Sequence, residues 1–381
     1  MNLVIHDLSP EAWARIEADY AGWTVVSDRG TIRPCTGCFA CWNRTPGVCA
    51  VKDGYENMGQ LIHRAGEVLV ISRCRYGGFS GFVKNVFDRC LGYVLPQFEL
   101  VGGETHHKKR YDEDKPFRFL FYGPALTEEE KQSAAEYVRA VCANIRGTVK
   151  ELRFRDCVPE SPPSRAEGPC RSGRTVLLIA SMRGARANSA KLARELAKRL
   201  PEEPETILLG RYLGDLDALA ASLEDAETIV LCTPLYVDGL PSQLIRLMER
   251  MEKTSRGGPK KIYLLANMGL YESSQLRSIF SAVRQFSAAM GYTWCGGLGV
   301  SAGELIGVLM EHIPFRLGTT RTMAKGMARL AEAVASGTRT PELYAEPWAF
   351  PRSLFIALAN TSWNKTARAN GLRPADLYRR L

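Results

Sequence analysis

The stretch Val176-Leu-Leu-Ile-Ala-Ser-Met-Arg-Gly-Ala-Arg-Ala-Asn-Ser-Ala190 decides the interpretation of the fold. Its first five residues, 176–180, are all apolar, as is typical of a short buried strand. After a polar loop, Leu192, Leu196 and Leu200 recur at helical spacing and predict an amphipathic helix. Because a helix N-terminus presents free backbone N–H groups and a favourable dipole, the arrangement predicts an anion site. An ordinary surface loop is the alternative.

The loop between this strand and helix is rich in groups that bind phosphate. They are hydroxyls, an amide and two guanidinium groups: Ser181, Arg183, Arg186, Asn188 and Ser189. Arginine forms charge-assisted bonds that suit a phosphate dianion. The loop has neither the G-x-x-x-x-G-K-[ST] pattern of nucleoside triphosphate sites nor the G-x-G-x-x-G pattern of dinucleotide sites. The residues therefore favour a single phosphate.

The bulk composition fits a globular protein of two domains. The chain has 381 residues, of which 45% are apolar and 24% charged, so a packed core is expected. The net charge of +9 is spread over both halves, which argues against a nucleic-acid partner. The one dense basic cluster, 106–110, is interpreted as a solvated loop.

Cysteine usage indicates a reducing compartment. Eleven cysteines, an odd number, without a recognisable secretory segment predict a cytoplasmic protein rather than a disulfide scaffold. The most apolar stretch, 291–310, contains Glu304 and six glycines, so it is interpreted as a strand, a loop and the start of a helix. No membrane partner is expected.

Strands and helices alternate through both halves of the chain, which predicts parallel sheets covered on both faces. Strands are predicted at 3–5, 23–26, 68–71, 117–121, 148–154, 176–180, 205–209, 228–232, 261–266 and 294–300. A proline-rich stretch predicts a linker between the halves. The predicted domains are 1–157, the linker 158–173, a second domain 174–310 and a helical C-terminal extension 311–381.

The two halves look like copies of one another. The segment 65–76 aligns with 225–236, and after one inserted residue the match continues to Asp88-Arg89 opposite Glu249-Arg250. A repeat at this interval indicates domain duplication. In the first copy Ser9 and Pro10 start a helix directly after the first strand, so that copy has no phosphate loop.

Three segments of the second copy resemble, in the correct order, the cofactor loops of flavodoxin-like NAD(P)H-dependent FMN reductases. They are 181–189, Thr233 to Pro241, and Asn267 to Glu272. In the first copy, Cys35-x2-Cys38-x2-Cys41 with Tyr76-Gly-Gly and 84–89 resembles the cysteine-containing branch of that superfamily, which includes the iron–sulfur flavoproteins. The resemblance implies an α/β fold of two tandem, doubly wound, five-stranded parallel sheets, with FMN at the carboxyl ends of the strands.

The resemblance also implies which residues surround FMN. Those at the phosphate would be Ser181, Arg183, Asn188 and Ser189. Those along the ribityl chain and ring would be Pro234, Leu235, Tyr236, Val237 and Asp238. Those at the other edge of the ring would be Asn267, Gly269 and Tyr271. Tyr236 and Tyr271 could instead be ordinary aromatic residues at strand ends, and relatives often have Gly at Ala180 and Pro at Met182.

Four cysteines lie within fifteen residues of the first copy: Cys35, Cys38, Cys41 and Cys49. Two x2 gaps place three sulfurs together, and a turn at 45–47 returns the fourth. Four thiolates can hold a [4Fe–4S] cluster, but zinc, a redox dithiol and a packing role all stay open. The iron–sulfur relatives have five residues before the last cysteine, whereas this chain has seven.

The sequence therefore predicts a cytoplasmic FMN-dependent oxidoreductase that uses NAD(P)H to reduce a flavin, a quinone or another small acceptor. Since hydride transfer is carried by the cofactors, no catalytic side chain is predicted. An electron carrier that does not oxidise NAD(P)H and a non-enzymatic redox or metal sensor are the alternatives. By analogy with paired subunits of relatives, the halves are expected to form an internal pseudo-dimer, with a homodimer also open.

Overall fold

The computed structural model describes residues 1–157, 173–255 and 258–381. The chain divides into two compact units, Met1–Ser161 together with Ser353–Leu381, and Pro162–Arg352. The predicted linker 158–173 lies outside the described residues except for Gly173.

The first unit is built on a parallel sheet. Its strands, within the described residues, are β1 (Leu3–His6), β2 (Thr24–Ser27), β3 (Val68–Arg73), β4 (Val94–Val101), β5 (Glu104–Lys109), β6 (Lys115–Gly123) and β7 (Gly147–Asp156). Five of them pair in parallel in the order β2-β1-β3-β6-β7. Counted along the chain, this is the 2-1-3-4-5 order of doubly wound flavodoxin-like sheets. The predicted fold class is confirmed for this unit.

Within residues 1–157, five α-helices accompany this sheet in chain order. They are α1 (Pro10–Ala14), α2 (Ala40–Asn43), α3 (Met58–Arg64), α4 (Gly81–Asp88) and α5 (Glu128–Ile145). The start of α1 is as predicted, because the Ser9 side chain accepts a hydrogen bond from the Ala12 N–H and Pro10 takes the first helical position. A capping box between Thr127 and Glu130 fixes the start of α5.

The basic cluster 106–110 is not a solvated loop, and that prediction is wrong. Strands β4 and β5 form an antiparallel hairpin that contains most of this cluster. His106 is buried and hydrogen-bonded to Asn144 (3.1 Å), and the buried Arg110 guanidinium donates to the carbonyl of Gly92 (2.7 Å). These polar side chains are buried because backbone carbonyls and an amide satisfy them.

The second unit has a six-stranded parallel sheet in its described residues, one strand more than expected. The strands are β8 (Thr175–Ile179), β9 (Glu205–Leu208), β10 (Thr228–Pro234), β11 (Lys261–Asn267), β12 (Thr293–Val300) and β13 (Glu342–Ala345), in the order β9-β8-β10-β11-β12-β13. The extra strand, β13, lies in the stretch predicted to be helical. Glycine permits the approach beside it, since a Cβ on Gly296 would lie 1.9 Å from the Thr340 carbonyl oxygen.

Helices accompany this sheet as well. They are α6 (Asn188–Ala197), α7 (Leu216–Ser222), α8 (Ser242–Thr254), α9 (Arg277–Met290), α10 (Gly303–His312) and α11 (Arg321–Ser336). Methionines of α11 and leucines of α6 share one buried cluster with β8, β10 and β12. The apolar stretch 291–310 divides into β12 and α10, as predicted. Among the described residues no helix is both long and apolar enough to cross a membrane.

The last segment of the chain packs within the first unit. It contains α12 (Arg352–Ala369) and a 3-10 turn at Pro374–Tyr378. Trp363 of α12 packs edge-on against Phe39 and Trp42, with ring centroids 5.5 and 5.4 Å apart. Its aromatic side chain thus covers the loop that contains the four cysteines.

The two units repeat one turn, which supports the inferred duplication. After β3, Arg75 and Gly78 exchange backbone hydrogen bonds of 2.9 Å in both directions, and after β10 Tyr236 and Gly239 do the same. Strand β10 is one residue longer than β3, and a single residue separates each strand from its turn. The inserted residue therefore lies within β10, before the turn, and not after Tyr236 as the sequence alignment predicted.

Candidate functional site

The second sheet has a topological switch point at the carboxyl ends of β8 and β10. The chain leaves β8 for β9 on one side and returns to β10 on the other. Loops that diverge at such a point open a crevice, which is where doubly wound sheets bind ligands. The three predicted cofactor loops follow β8, β10 and β11, so they all reach this edge.

Asn267, the last residue of β11, links these three loops. The Ser189 hydroxyl donates to Asn267 Oδ1 over 2.6 Å, and the Leu235 N–H donates to the Asn267 carbonyl over 2.8 Å. Ser189 lies in the first turn of α6, where the segment after β8 ends, and Leu235 lies in the loop after β10. The structure therefore brings together the segments that sequence reasoning assigned to one site.

The N-terminus of α6 has the features of an anion site. The helix runs for ten residues from Asn188, and no side chain caps its first turn. Uncapped N–H groups carry partial positive charge and need acceptors. Ser189 is buried in the first turn of α6, and its hydroxyl donates to Asn267. Ser181 is also buried, and its hydroxyl accepts a hydrogen bond from the Arg183 N–H (3.3 Å).

The other two predicted phosphate residues face helix α10. Arg183 Nη1 lies 2.8 Å from Glu304 Oε1, so the guanidinium already holds an anionic group. Asn188 packs closely on the same helix, since a Cβ on Gly307 would lie 2.1 Å from Asn188 Oδ1. Glu304 was not among the predicted site residues. It lies 121 positions from Arg183, and no local pattern announces the pairing.

The turn after β10 is strained. Val237 and Asp238 both have positive φ, 39° and 57°, and both are buried. A β-branched residue in this region costs energy, and strain of this kind is concentrated at ligand clamps and active sites. The two backbone hydrogen bonds between Tyr236 and Gly239 hold the turn, and the Ser278 hydroxyl donates to the Asp238 carbonyl. Pro234 ends β10, while Leu235 and Tyr236 are half-buried.

The loop after β11 has one open and one anchored position. Gly269 is exposed, and a Cβ there would meet nothing within 4 Å. The Tyr271 hydroxyl donates to the Phe350 carbonyl over 2.6 Å. Burial, together with Glu346 and Glu272, raises the pKa of Tyr271. Tyr271 therefore anchors the segment before α12, and its place at a flavin ring stays a prediction.

The equivalent edge of the first unit is built differently. A carboxylate, Asp7, follows β1 and accepts hydrogen bonds from the Arg73 N–H (3.0 Å) and from the Tyr122 hydroxyl (3.0 Å). Burial raises the pKa of Asp7. Since an acidic group takes the donors here and Ser9 caps the short helix α1, this edge does not suit a phosphate.

The four cysteines of the first unit gather on one loop. Cys38 is exposed, while Cys35, Cys41 and Cys49 are partly buried. Burial, together with the charges of Asp88, Cys49 and Cys38, raises the pKa of Cys35 to about 12. Burial and the other three thiols likewise raise the pKa of Cys41. The four thiols are thus close enough to influence one another.

Proximity alone does not make a metal centre here. In residues 1–157, 173–255 and 258–381, no group of three or more His, Cys, Asp and Glu side chains is arranged to hold a metal ion. The predicted [4Fe–4S] cluster and the zinc alternative therefore find no support in the arrangement of the thiols.

Comparison with known proteins gives little guidance. No family model matches the chain, and no curated protein matches it. Several solved structures, including the following three, show partial similarity. A Trp repressor binding protein from Bacillus subtilis has 18% identity and a TM-score of 0.29, over 34% of this chain and 84% of that one. A flavone reductase has 17% identity and a TM-score of 0.33, over 42% of this chain and 63% of that one. The azoreductase AzrA has 15% identity and a TM-score of 0.31, over 43% of this chain and all of that one (100%). Similarity at this level does not identify a function.

Proposed function

We propose that the second unit binds FMN and that the protein is an NAD(P)H-dependent flavin oxidoreductase that reduces a flavin, a quinone or another small acceptor. The observation that carries the proposal is the meeting of three loops at the switch point of the second sheet, beside the uncapped N-terminus of α6. A cation at this terminus, Arg183, already pairs with a carboxylate. Both features favour a ligand with a single phosphate.

In this proposal the loop after β8 holds the FMN phosphate. The free N–H groups of α6 and the Ser181 hydroxyl would donate hydrogen bonds, and Arg183 would supply the charge. The Ser189 hydroxyl, which donates to Asn267, would hold the start of α6 in place. Exposure of the Arg183 side chain at 38% lets a phosphate reach it. These donors are neutral or cationic, whereas the equivalent edge of the first unit presents Asp7.

The strained turn and the open glycine would border the isoalloxazine ring. The turn at Tyr236–Gly239 is held rigidly by its paired backbone hydrogen bonds, so it can form one wall of the crevice. Gly269 leaves space on the other side because it has no side chain and no neighbour at the Cβ position. Asn267 fixes the spacing of these walls through its bonds to Ser189 and Leu235.

Bound FMN would supply the redox chemistry, accepting a hydride from the nicotinamide and passing electrons to the acceptor. The side chains then have to bind, orient and exclude water, and none of them has to act as acid or base. This division of labour is why the proposal names binding residues and no catalytic residue.

The test is an anaerobic absorbance experiment. Purified protein is incubated with FMN, freed of unbound flavin, and mixed with NADPH or NADH. We expect a yellow protein whose flavin absorbance is bleached by one of the two nucleotides. A bound flavin that neither nucleotide bleaches would favour the electron carrier, and a protein that retains no flavin would contradict FMN binding altogether.

A further inference from the structure

Helix α10 contacts two of the three cofactor loops through its first residues. The Gly303 N–H donates to the Met268 carbonyl over 2.7 Å, in the loop after β11. The next residue, Glu304, pairs with Arg183 in the loop after β8. The first turn of α10 therefore contacts both the loop proposed to border the flavin ring and the loop proposed to bind the phosphate.

Further contacts fix α10 in this place independently of Glu304. The Lys191 ammonium group of α6 donates to the Gly307 carbonyl over 2.9 Å. Gly307 also packs against Asn188 at a distance that no larger residue would permit. Because these contacts use the backbone of α10, the Glu304 side chain can move away from Arg183 while the helix stays in position.

We propose that Glu304 is a latch on the phosphate loop, which holds Arg183 until the phosphate of the ligand takes the place of its carboxylate. The inference rests on the proposed binding of FMN by this loop. A carboxylate and a phosphate compete for one guanidinium, since both accept the same charge-assisted hydrogen bonds. Phosphate binding at Arg183 is then an exchange of one anionic partner for another.

The strength of the latch follows from its exposure. The side chains of Arg183 and Glu304 are 38% and 57% exposed, so solvent weakens the pair. Exposed ion pairs of this kind change an equilibrium by about two- to fivefold. The latch therefore tunes affinity for phosphate-bearing ligands without preventing their binding, and added salt should reduce its effect.

The experiment compares Glu304→Gln with Glu311→Gln, a matched control on the same helix. Glu311 also pairs with α6, through Lys191, but does not face Arg183. Dissociation constants for FMN and for riboflavin, which lacks the phosphate, are measured by flavin fluorescence at low and high salt. We expect Glu304→Gln to bind FMN about two- to fivefold more tightly at low salt, with riboflavin affinity unchanged and with no change in Glu311→Gln.

Three results would overturn the latch. Equal FMN affinity of the wild type and Glu304→Gln would show that the carboxylate does not compete with the phosphate. Equal changes for FMN and riboflavin would place the effect of Glu304 away from the phosphate. If neither the wild type nor Glu304→Gln binds FMN, the proposed function fails together with the latch. This outcome can be told apart from equal affinities, because the wild type then shows no FMN binding.

Discussion

Arg183 is the residue on which phosphate binding should depend most, because it is the charged donor beside an uncapped helix. Replacing it with alanine should weaken FMN binding by about 1.5–3 kcal/mol, the range for a hydrogen bond to a charged group. Riboflavin, without a phosphate, should bind as before. Flavin fluorescence titrations check both ligands.

The matched control for this variant is Lys198→Ala. Lys198 ends the same helix but is exposed and pairs only locally with Glu195. We expect its FMN affinity to equal that of the wild type. If Arg183→Ala keeps full FMN affinity in a folded protein, the assignment of the phosphate loop is wrong.

His6 predicts how the first unit responds to acid. It is buried and stacks on Trp13 (4.1 Å between ring centroids), and its Nδ1 accepts a hydrogen bond from the Leu8 N–H (3.2 Å). Burial lowers the pKa of His6 to about 4. The pKa of His6 is near 6.5 in the unfolded chain and about 4 in the folded protein. Between these two pH values, the unfolded chain therefore binds the proton more readily. Stability is therefore fully present above the unfolded pKa and falls as the pH drops towards 4.

The size of this effect is up to about 3 kcal/mol, since each pKa unit corresponds to about 1.4 kcal/mol. Urea unfolding is measured at pH 7, 5.5 and 4.5. The free energy of unfolding should fall more steeply with decreasing pH for the wild type than for His6→Phe, which keeps the stacking but cannot titrate. If the free energy of unfolding of the two proteins had the same pH dependence, His6 would not be the group that makes the first unit sensitive to acid.

At the residue scale, the sequence predicts Ser181 and Ser189 as phosphate donors because strand, loop and helix are contiguous in the chain. In the structure Ser181 lies just after β8 and Ser189 lies in the first turn of α6. Glu304 and Asp7 could not be recognised, since each acts on residues far away in sequence: Glu304 on Arg183, and Asp7 on Arg73 and Tyr122. Local spacing carries no information about such contacts.

At the scale of elements, the hairpin β4–β5 depends on one buried arginine. Arg110 donates to the carbonyls of Gly92 (2.7 Å), Leu377 (2.7 Å) and Arg379 (2.7 Å), which ties the hairpin to the end of the chain. Replacement by methionine would leave buried carbonyls without donors, at about 1–3 kcal/mol each. The bonds to Gly92 and Leu377 are fully buried, so we expect Arg110→Met to destabilise the first unit by about 2–6 kcal/mol and to expose the last residues to protease.

Arg380→Met provides the comparison for this variant. Its guanidinium pairs with Asp112, but both side chains are largely exposed, at 56% and 83%. An exposed pair contributes at most about 1 kcal/mol, so urea unfolding should barely change. If Arg110→Met were as stable as Arg380→Met, the buried hydrogen bonds would have no structural role.

The ten predicted strands are all present because their apolar runs are long enough to be recognised one by one. The hairpin and β13 were missed for physical reasons. Strand β5 reads Glu-Thr-His-His-Lys-Lys, so it shows no apolar alternation that would predict a strand. Its polar His106 can be buried because it bonds to Asn144, a partner distant in sequence. Strand β13 has only four residues and forms by covering the glycine-lined edge of β12.

At the scale of the whole chain, the two units share a strand order and a turn. They differ at the carboxyl ends of their parallel strands, where doubly wound sheets bind ligands. The second presents an uncapped ten-residue helix and Arg183, whereas the first presents Asp7 and the capped five-residue helix α1. We therefore expect anion binding in the second unit only. The expected facing of the two halves across a pseudo-dimer stays a prediction.

The difference between the copies makes stoichiometry the most direct test of the account. Protein freed of flavin is titrated with FMN at a concentration far above the dissociation constant, and bound flavin is counted against protein by absorbance and amino-acid analysis. The account predicts one FMN per chain, lost in an Arg183→Glu variant that remains folded. Two FMN per chain, or one FMN per chain that Arg183→Glu retains at full affinity, would contradict it.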